Sequence, residues 1–138
     1  MIQFVIMGEP QGKGRPRFAR SGHTYTPEKT AAYEKAAALA YKRRYQGKSF
    51  EKGVPLEMRI QAYCKVPQSA SKAKKADMLS GKVRPIKTPD ADNIAKIICD
   101  ALNGVAYHDD AQIVRIAVEK YYGATGYVEV ALKEIKGE

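Results

Sequence analysis

Five of the six aspartates in this 138-residue chain fall between positions 90 and 110: Asp90, Asp92, Asp100, Asp109 and Asp110. Lys96 is the only lysine or arginine in that window, although the chain as a whole carries a formal net charge of +9. If Asp90, Asp92 and one of Asp109 and Asp110 converge, each close pair costs on the order of 1–4 kcal/mol at intermediate dielectric. The group then takes up a proton or binds a cation. Hard oxygen donors in this number suit Mg²⁺, with Mn²⁺ as its substitute, and Mg²⁺ readily keeps waters and a phosphate oxygen in its shell. An aspartate cluster repels a phosphodiester, whereas a bound dication attracts it and activates water. Lys96 stands four residues after Asp92, on the same helical face. It would stabilise charge at a scissile phosphate or position the attacking water.

Each of these residues also has a structural reading. Asp90 is a natural helix N-cap, worth about 1 kcal/mol, and carboxylates in a first turn favour the helix dipole. Asp92 with Lys96 is an i,i+4 pair worth a few tenths of a kcal/mol. Asp109 and Asp110 are ordinary turn residues. Asp100, two helical turns beyond Asp92, reads as a structural or supporting carboxylate. His108 reads as an exposed turn histidine with no ligand role.

The elements that must position these groups follow from hydrophobic spacing. Ile94, Ile97, Ile98, Ala101 and Leu102 form one apolar stripe at helical period, ended by Asn103-Gly104. The opposite face carries Asn93, Lys96, Asp100 and Asn103. For Asp109 and Asp110 to reach the start of this helix, the segment 104–107 ("GVAY") must run back along it, and it is apolar enough to do so as a short strand. Upstream, the apolar run Ile2–Met7 reads as a strand. Residues 8–27, rich in Gly, Pro and Arg, read as a functional loop without regular structure. Thr26 as N-cap and Pro27 at the first helical position open a helix over 27–46. Residues 54–64 alternate with period two, placing Glu57, Arg59 and Gln61 on a wet face. A weak basic helix covers 68–82, and the prolines keep 83–89 extended. Residues 114–119 and 127–133 alternate on either side of "GATG" and read as a hairpin. The fold class expected is α+β: a two-layer sandwich in which a mixed or antiparallel sheet of about four strands carries helices on one face, as a single domain over 1–138.

The chain has 24 Lys and Arg against 15 Asp and Glu, and a domain this basic usually meets a polyanion. Lys13, Arg15, Arg17 and Arg20 cluster in the first loop. Lys72, Lys74, Lys75, Lys82, Arg84 and Lys87 precede the aspartates. Both clusters read as phosphate-contacting, since Arg grips phosphate with two donors and glycines permit close backbone approach. Cys64 and Cys99 lack metal-ligand spacing and read as small buried hydrophobes of a reducing compartment. There is no apolar run of transmembrane length and no signal peptide, so a cytoplasmic protein is expected.

The combination "PDADNIAKIICDALNG" and "YHDDAQI" resembles the signature of the RusA-type Holliday junction resolvases. The shared features are Asp-x-Asp-Asn, a lysine four residues after the second Asp, an Asp-Ala-Leu-Asn-Gly helix end, and a downstream Asp-Asp before a strand. The resemblance is close over residues 87–113. It implies a Mg²⁺-dependent endonuclease of bacterial or phage origin that acts as a homodimer on four-way DNA junctions. Asp90, Asp92 and Asp110 match the family's metal-binding aspartates, Lys96 matches its catalytic lysine, and Asp109 matches the first acid of the downstream pair. Two cuts related by a two-fold axis fit a C2 dimer. The alternatives are a non-catalytic nucleic-acid-binding module, which explains the basic clusters but not the aspartates, and a nuclease for other branched DNA.

Overall fold

A computed structural model describes residues 1–136. The elements are β1 (Ile2–Met7), β2 (Arg17–Phe18), β3 (Thr24–Tyr25), α1 (Glu28–Arg44), β4 (Leu56–Lys65), α2 (Lys72–Leu79), α3 (Ala91–Leu102), a 3-10 turn (Asp110–Gln112), β5 (Ile113–Gly123) and β6 (Tyr127–Glu134). The fold is the expected α+β class: a four-stranded mixed sheet with helices against it.

Period-two alternation sets β4. Leu56, Met58, Ile60, Ala62 and Cys64 are all buried beneath the helices. The stripe on α3 buries Ile94, Ile97, Ile98, Ala101 and Leu102. Each of its large aliphatic side chains contributes roughly 2 kcal/mol by leaving water. Tyr33, Ala37 and Tyr41 of α1 complete the same core cluster, with Phe4 and Ile6 of β1 and Val128, Val130 and Leu132 of β6.

The other sheet face is not uniformly wet. Glu57 is only 4% exposed, because Arg115, Arg59 and Lys133 close over it at 3.2, 3.4 and 3.4 Å. Burial alone would raise its pKa, but the hydrogen bonds from Arg115 and Lys133 outweigh burial and hold its carboxyl below the usual range. Further along this face, Tyr63 stacks between Tyr127 and Tyr121, with centroids 4.4 and 5.4 Å away.

The strand order corrects the expected hairpin. It is β1-β6-β4-β5, so β4 lies between β5 and β6. β4 pairs parallel with β5 and antiparallel with β6. The short link after Gly123 therefore steps across the end of β4 instead of joining neighbours. Val66 N–H donates to Gly123 O at 3.0 Å, and Gly8 N–H donates to Gly126 O at 3.1 Å, which pins the crossing. A Cβ on Gly126 would fall 2.9 Å from the Glu9 Cα, so only glycine fits there without a shift.

Three local expectations also change. Helix α1 is preceded by Pro27 as N-cap, with no side-chain cap bond, so Thr26 does not cap it. The long loop contains a two-stranded hairpin, with Arg17 opposite Tyr25 and Phe18 opposite Thr24. Residues 104–107 do not run back along α3 as a strand. They form a tight turn in which Gly104 N–H donates to Tyr107 O at 3.0 Å. Ala106 and Tyr107 are fully buried, and the Tyr107 hydroxyl donates to Cys99 O at 2.7 Å. Apolar residues just past a helix are satisfied by plugging its end, which takes fewer residues than a return strand.

Candidate functional site

Helix α3 carries the aspartates because its apolar stripe fixes its rotation on the sheet, turning Asp92 and Lys96 outward. Asp90 occupies the N-cap position, but its side chain makes no capping hydrogen bond; its backbone carbonyl accepts from Ile94 N–H at 3.0 Å. Its carboxylate is thus exposed and uncommitted. Asp92 and Lys96 are also exposed, and no ion pair joins them among the described residues.

The downstream pair divides into two roles. Asp109 caps the 3-10 turn: its Oδ1 accepts from Ala111 N–H at 2.9 Å, and the Gln112 side chain accepts from the Asp109 backbone at 3.0 Å. Gln112 also donates to the carbonyls of Glu51 and Val54, so this turn is locked to the segment before β4. The Asp110 backbone N–H donates to Asn103 Oδ1 at 3.2 Å, which docks Asp110 on the C-terminal part of α3. Partial burial raises the pKa of the Asp110 carboxyl; the hydrogen bond its protonated form donates to Asp109 and the charges of Asp109 and Asp100 add to the rise, and Lys96 partly offsets it. Ionised Asp110 is disfavoured by the fold, so its stability cost is absent below the ordinary aspartate range and complete above its own raised pKa. A cation beside it would remove that cost.

The structure therefore brings Asp110 into electrostatic reach of Asp109, Asp100 and Lys96. Among the described residues no group of three His, Cys, Asp or Glu side chains is placed to hold a metal ion. The donor chemistry nevertheless fits a hard dication, with two uncommitted carboxylates at one end of the helix and a mutually destabilised carboxylate along it.

The Gly/Arg loop docks at the start of α3. Lys13 N–H donates to Asn93 O at 3.0 Å, and Gly14 N–H donates to Thr30 Oγ1 at 3.1 Å. A Cβ at Gly12 would sit 3.1 Å from the Cβ atoms of both Asn93 and Pro89, so the backbone there is pressed against α3. The Lys13 ammonium, expected to meet phosphate, instead bridges Glu34 of α1 at 3.0 Å and Asp100 of α3 at 3.1 Å. Burial opposes its charge, but the two carboxylates outweigh burial and raise its pKa. Lys13→Met leaves those two carboxylates facing each other without a counterion. It should lower unfolding free energy by about 1–2 kcal/mol, measured by urea denaturation.

Arg15, Arg17 and Arg20 are exposed around the hairpin. On α2, capped by the Ser71 hydroxyl, Lys72 and Lys74 are exposed and Lys75 is half-buried. Beyond α2, exposed Lys82 leads to Arg84, whose guanidinium lies 3.9 Å from the Tyr121 ring centroid and whose Nε donates to Lys120 O at 2.5 Å. The Lys87 carbonyl accepts from the Lys120 ammonium at 2.6 Å. This ties the strap 84–87 to β5 and leads it directly to Asp90. The root of the first loop and the end of the strap 84–87 thus both reach the N-terminal end of α3. Sequence reasoning missed Glu34, Asn93 and Thr30 as the loop's anchors, because nothing in their spacing marks a contact made across the fold. Asn103 was legible only as a helix stop. His108 is exposed, and its backbone N–H donates to Gln112. Cys64 and Cys99 are free thiols, and burial with nearby carboxylates pushes Cys99 up to about 11. No helix among the described residues is long and apolar enough to cross a membrane.

A sequence profile of the family described as endodeoxyribonuclease RusA matches residues 7–133. An uncharacterised protein, YqaN of Bacillus subtilis (strain 168), is 36% identical to this chain over 139 residues, covering 97% of this chain and 96% of that protein.

Proposed function

The chain belongs to the endodeoxyribonuclease RusA family, and on that premise we propose that it resolves four-way DNA junctions by paired, Mg²⁺-dependent phosphodiester hydrolysis in recombination and repair. The observation that carries this reading is the docking of the arginine loop, through Lys13 N–H on Asn93 O, beside the uncommitted carboxylates of Asp90 and Asp92. The root of the phosphate-gripping loop and two of the metal-holding carboxylates then share one end of one helix.

In this reading Asp90, Asp92 and Asp110 hold Mg²⁺, or Mn²⁺ in its place. The ion would lower the pKa of a bound water and neutralise phosphate charge. Asp109 holds the turn that presents Asp110. Lys96, one helical turn after Asp92 and within electrostatic reach of Asp110, would offer its ammonium to charge developing on the scissile phosphate. Arg15, Arg17 and Arg20 grip the backbone on one side of the cut. Lys72, Lys74, Lys75, Arg84 and Lys87 follow it on the other. A C2 dimer supplies two such sites with the symmetry of the junction.

The rival reading, a non-catalytic nucleic-acid-binding module, draws support from the lack of a three-carboxylate group among the described residues. One assay separates them: incubation with a four-way junction or a linear duplex of the same sequences, in Mg²⁺ or in EDTA. The proposal expects nicks in two opposing strands of the junction, in Mg²⁺ only. Tight junction binding without nicks in Mg²⁺ would favour the binding module, and equal cutting of the linear duplex would remove the junction from the proposal.

A further inference from the structure

We propose that Phe18 is a branch-point wedge: its ring inserts between bases where the DNA arms meet and so fixes which phosphate reaches the aspartates. This rests on the reading of the protein as a nuclease for branched DNA and adds a specificity-determining residue to it.

Phe18 is 78% exposed although it lies within a strand, on a hairpin held by Ala19 N–H to His23 O and Gly22 N–H to Ala19 O, each at 2.9 Å. Exposed Arg15, Arg17 and Arg20 flank it in sequence, and no acidic residue occurs between Glu9 and Glu28. The hairpin projects from a firmly held root. That root is tied to Asn93 and Thr30 through backbone N–H groups and to Glu34 and Asp100 through the Lys13 ammonium. Asn93 directly follows Asp92, so the root of the arm carrying Phe18 is hydrogen-bonded to the helix residue next to a carboxylate.

The chemistry of this arm selects nucleic acid as its partner. Arginines with no intervening acid draw a phosphate backbone, and an apolar planar ring between them finds bases as soon as a stack opens. Apolar side chains that wedge between base steps must offset the cost of unstacking. That cost is smallest at a branch, where the stacks are already interrupted, and highest in a continuous duplex. An exposed ring anchored to the catalytic helix therefore converts a general affinity for phosphate into a preference for branch points. The same arginines would repel their counterparts in a second copy of the chain, which disfavours this tip as a subunit contact.

The test uses junctions and duplexes carrying 2-aminopurine, whose fluorescence rises when it is unstacked. With the Asp92→Asn chain, which keeps Phe18 but is blocked for cutting, binding should raise the fluorescence of 2-aminopurine at the branch point and not of the same base within an arm. Adding Phe18→Ala should abolish the rise while leaving affinity for linear duplex within about twofold. Phe18→Trp should restore it, which a merely structural role would not do. In the native background, Phe18→Ala should slow junction cleavage roughly 10- to 100-fold. A Phe18-dependent rise in a chain that never cuts would uphold the wedge and sink the nuclease reading alone. An undiminished rise with Phe18→Ala overturns the wedge. So does a shift of Phe18→Ala to a smaller oligomer in sedimentation, which would mark Phe18 as a protein contact.

Discussion

Asp92→Asn should cut a four-way junction at least ~10³-fold more slowly than the native chain, a loss of about 4 kcal/mol of transition-state stabilisation. It should bind the junction as tightly or more tightly. Asp92 is exposed in the first turn of α3 and makes no side-chain hydrogen bond or ion pair among the described residues, so the amide keeps its shape and leaves the fold intact. What it removes is one anionic donor. Losing a negative charge at the DNA surface also weakens repulsion of phosphate, which sets the direction of the binding change. Single-turnover cleavage beside a gel-shift titration reads both quantities. Unchanged cleavage would take Asp92 out of the site.

Ile97→Ala should have the largest effect on stability. Ile97 has no exposed surface and sits in the middle of the buried stripe, between Ile94, Ile98 and Ala101. Removing three carbons loses their transfer energy and leaves a cavity, because α3 is held by β5 on one side and α1 on the other. The cost expected is about 3–4 kcal/mol. For a chain of this size it lowers the melting temperature by roughly 10–15 °C. Thermal unfolding followed by circular dichroism measures it. Asp92→Asn should show no such drop. Together the two variants separate the group that does the chemistry from the frame that aims it. A melting temperature for Ile97→Ala within a few degrees of the native value would mean that α3 does not rest on this stripe.

Elements whose period is dictated by burial were legible in the sequence. The stripe from Ile94 to Leu102 and the alternation from Leu56 to Cys64 each admit one secondary structure, and both are present. Pairing was not legible. A short Gly-containing link has the same sequence whether its strands are neighbours or have β4 between them. Only the two hydrogen-bonding edges of β4, one taken by β5 and the other by β6, settle the order. The path after α3 was misjudged for a related reason: "GVAY" is apolar either as a strand or as a plug, and the buried Tyr107 makes it a plug. Lys13 shows the limit for charged residues. Its neighbours in sequence are basic, and its partners Glu34 and Asp100 lie far along the chain on two different helices. Composition sees the cation but not the carboxylates that fold onto it. The Asp90 side chain is the converse case. Its place at the N-cap was legible, yet it does not cap, which leaves it available for other chemistry.

If carboxylates from the start of α3 and from the bend after it share a divalent ion, Mn²⁺ titration followed by electron paramagnetic resonance will show it. The native chain, Asp92→Asn, Asp110→Asn and the double variant are compared in the presence of a junction. Either single substitution should weaken Mn²⁺ binding at least tenfold, and the double variant should be little worse than the singles, as expected for ligands of one ion. Native-strength binding by Asp110→Asn, with binding lost only in Asp92→Asn, would contradict it.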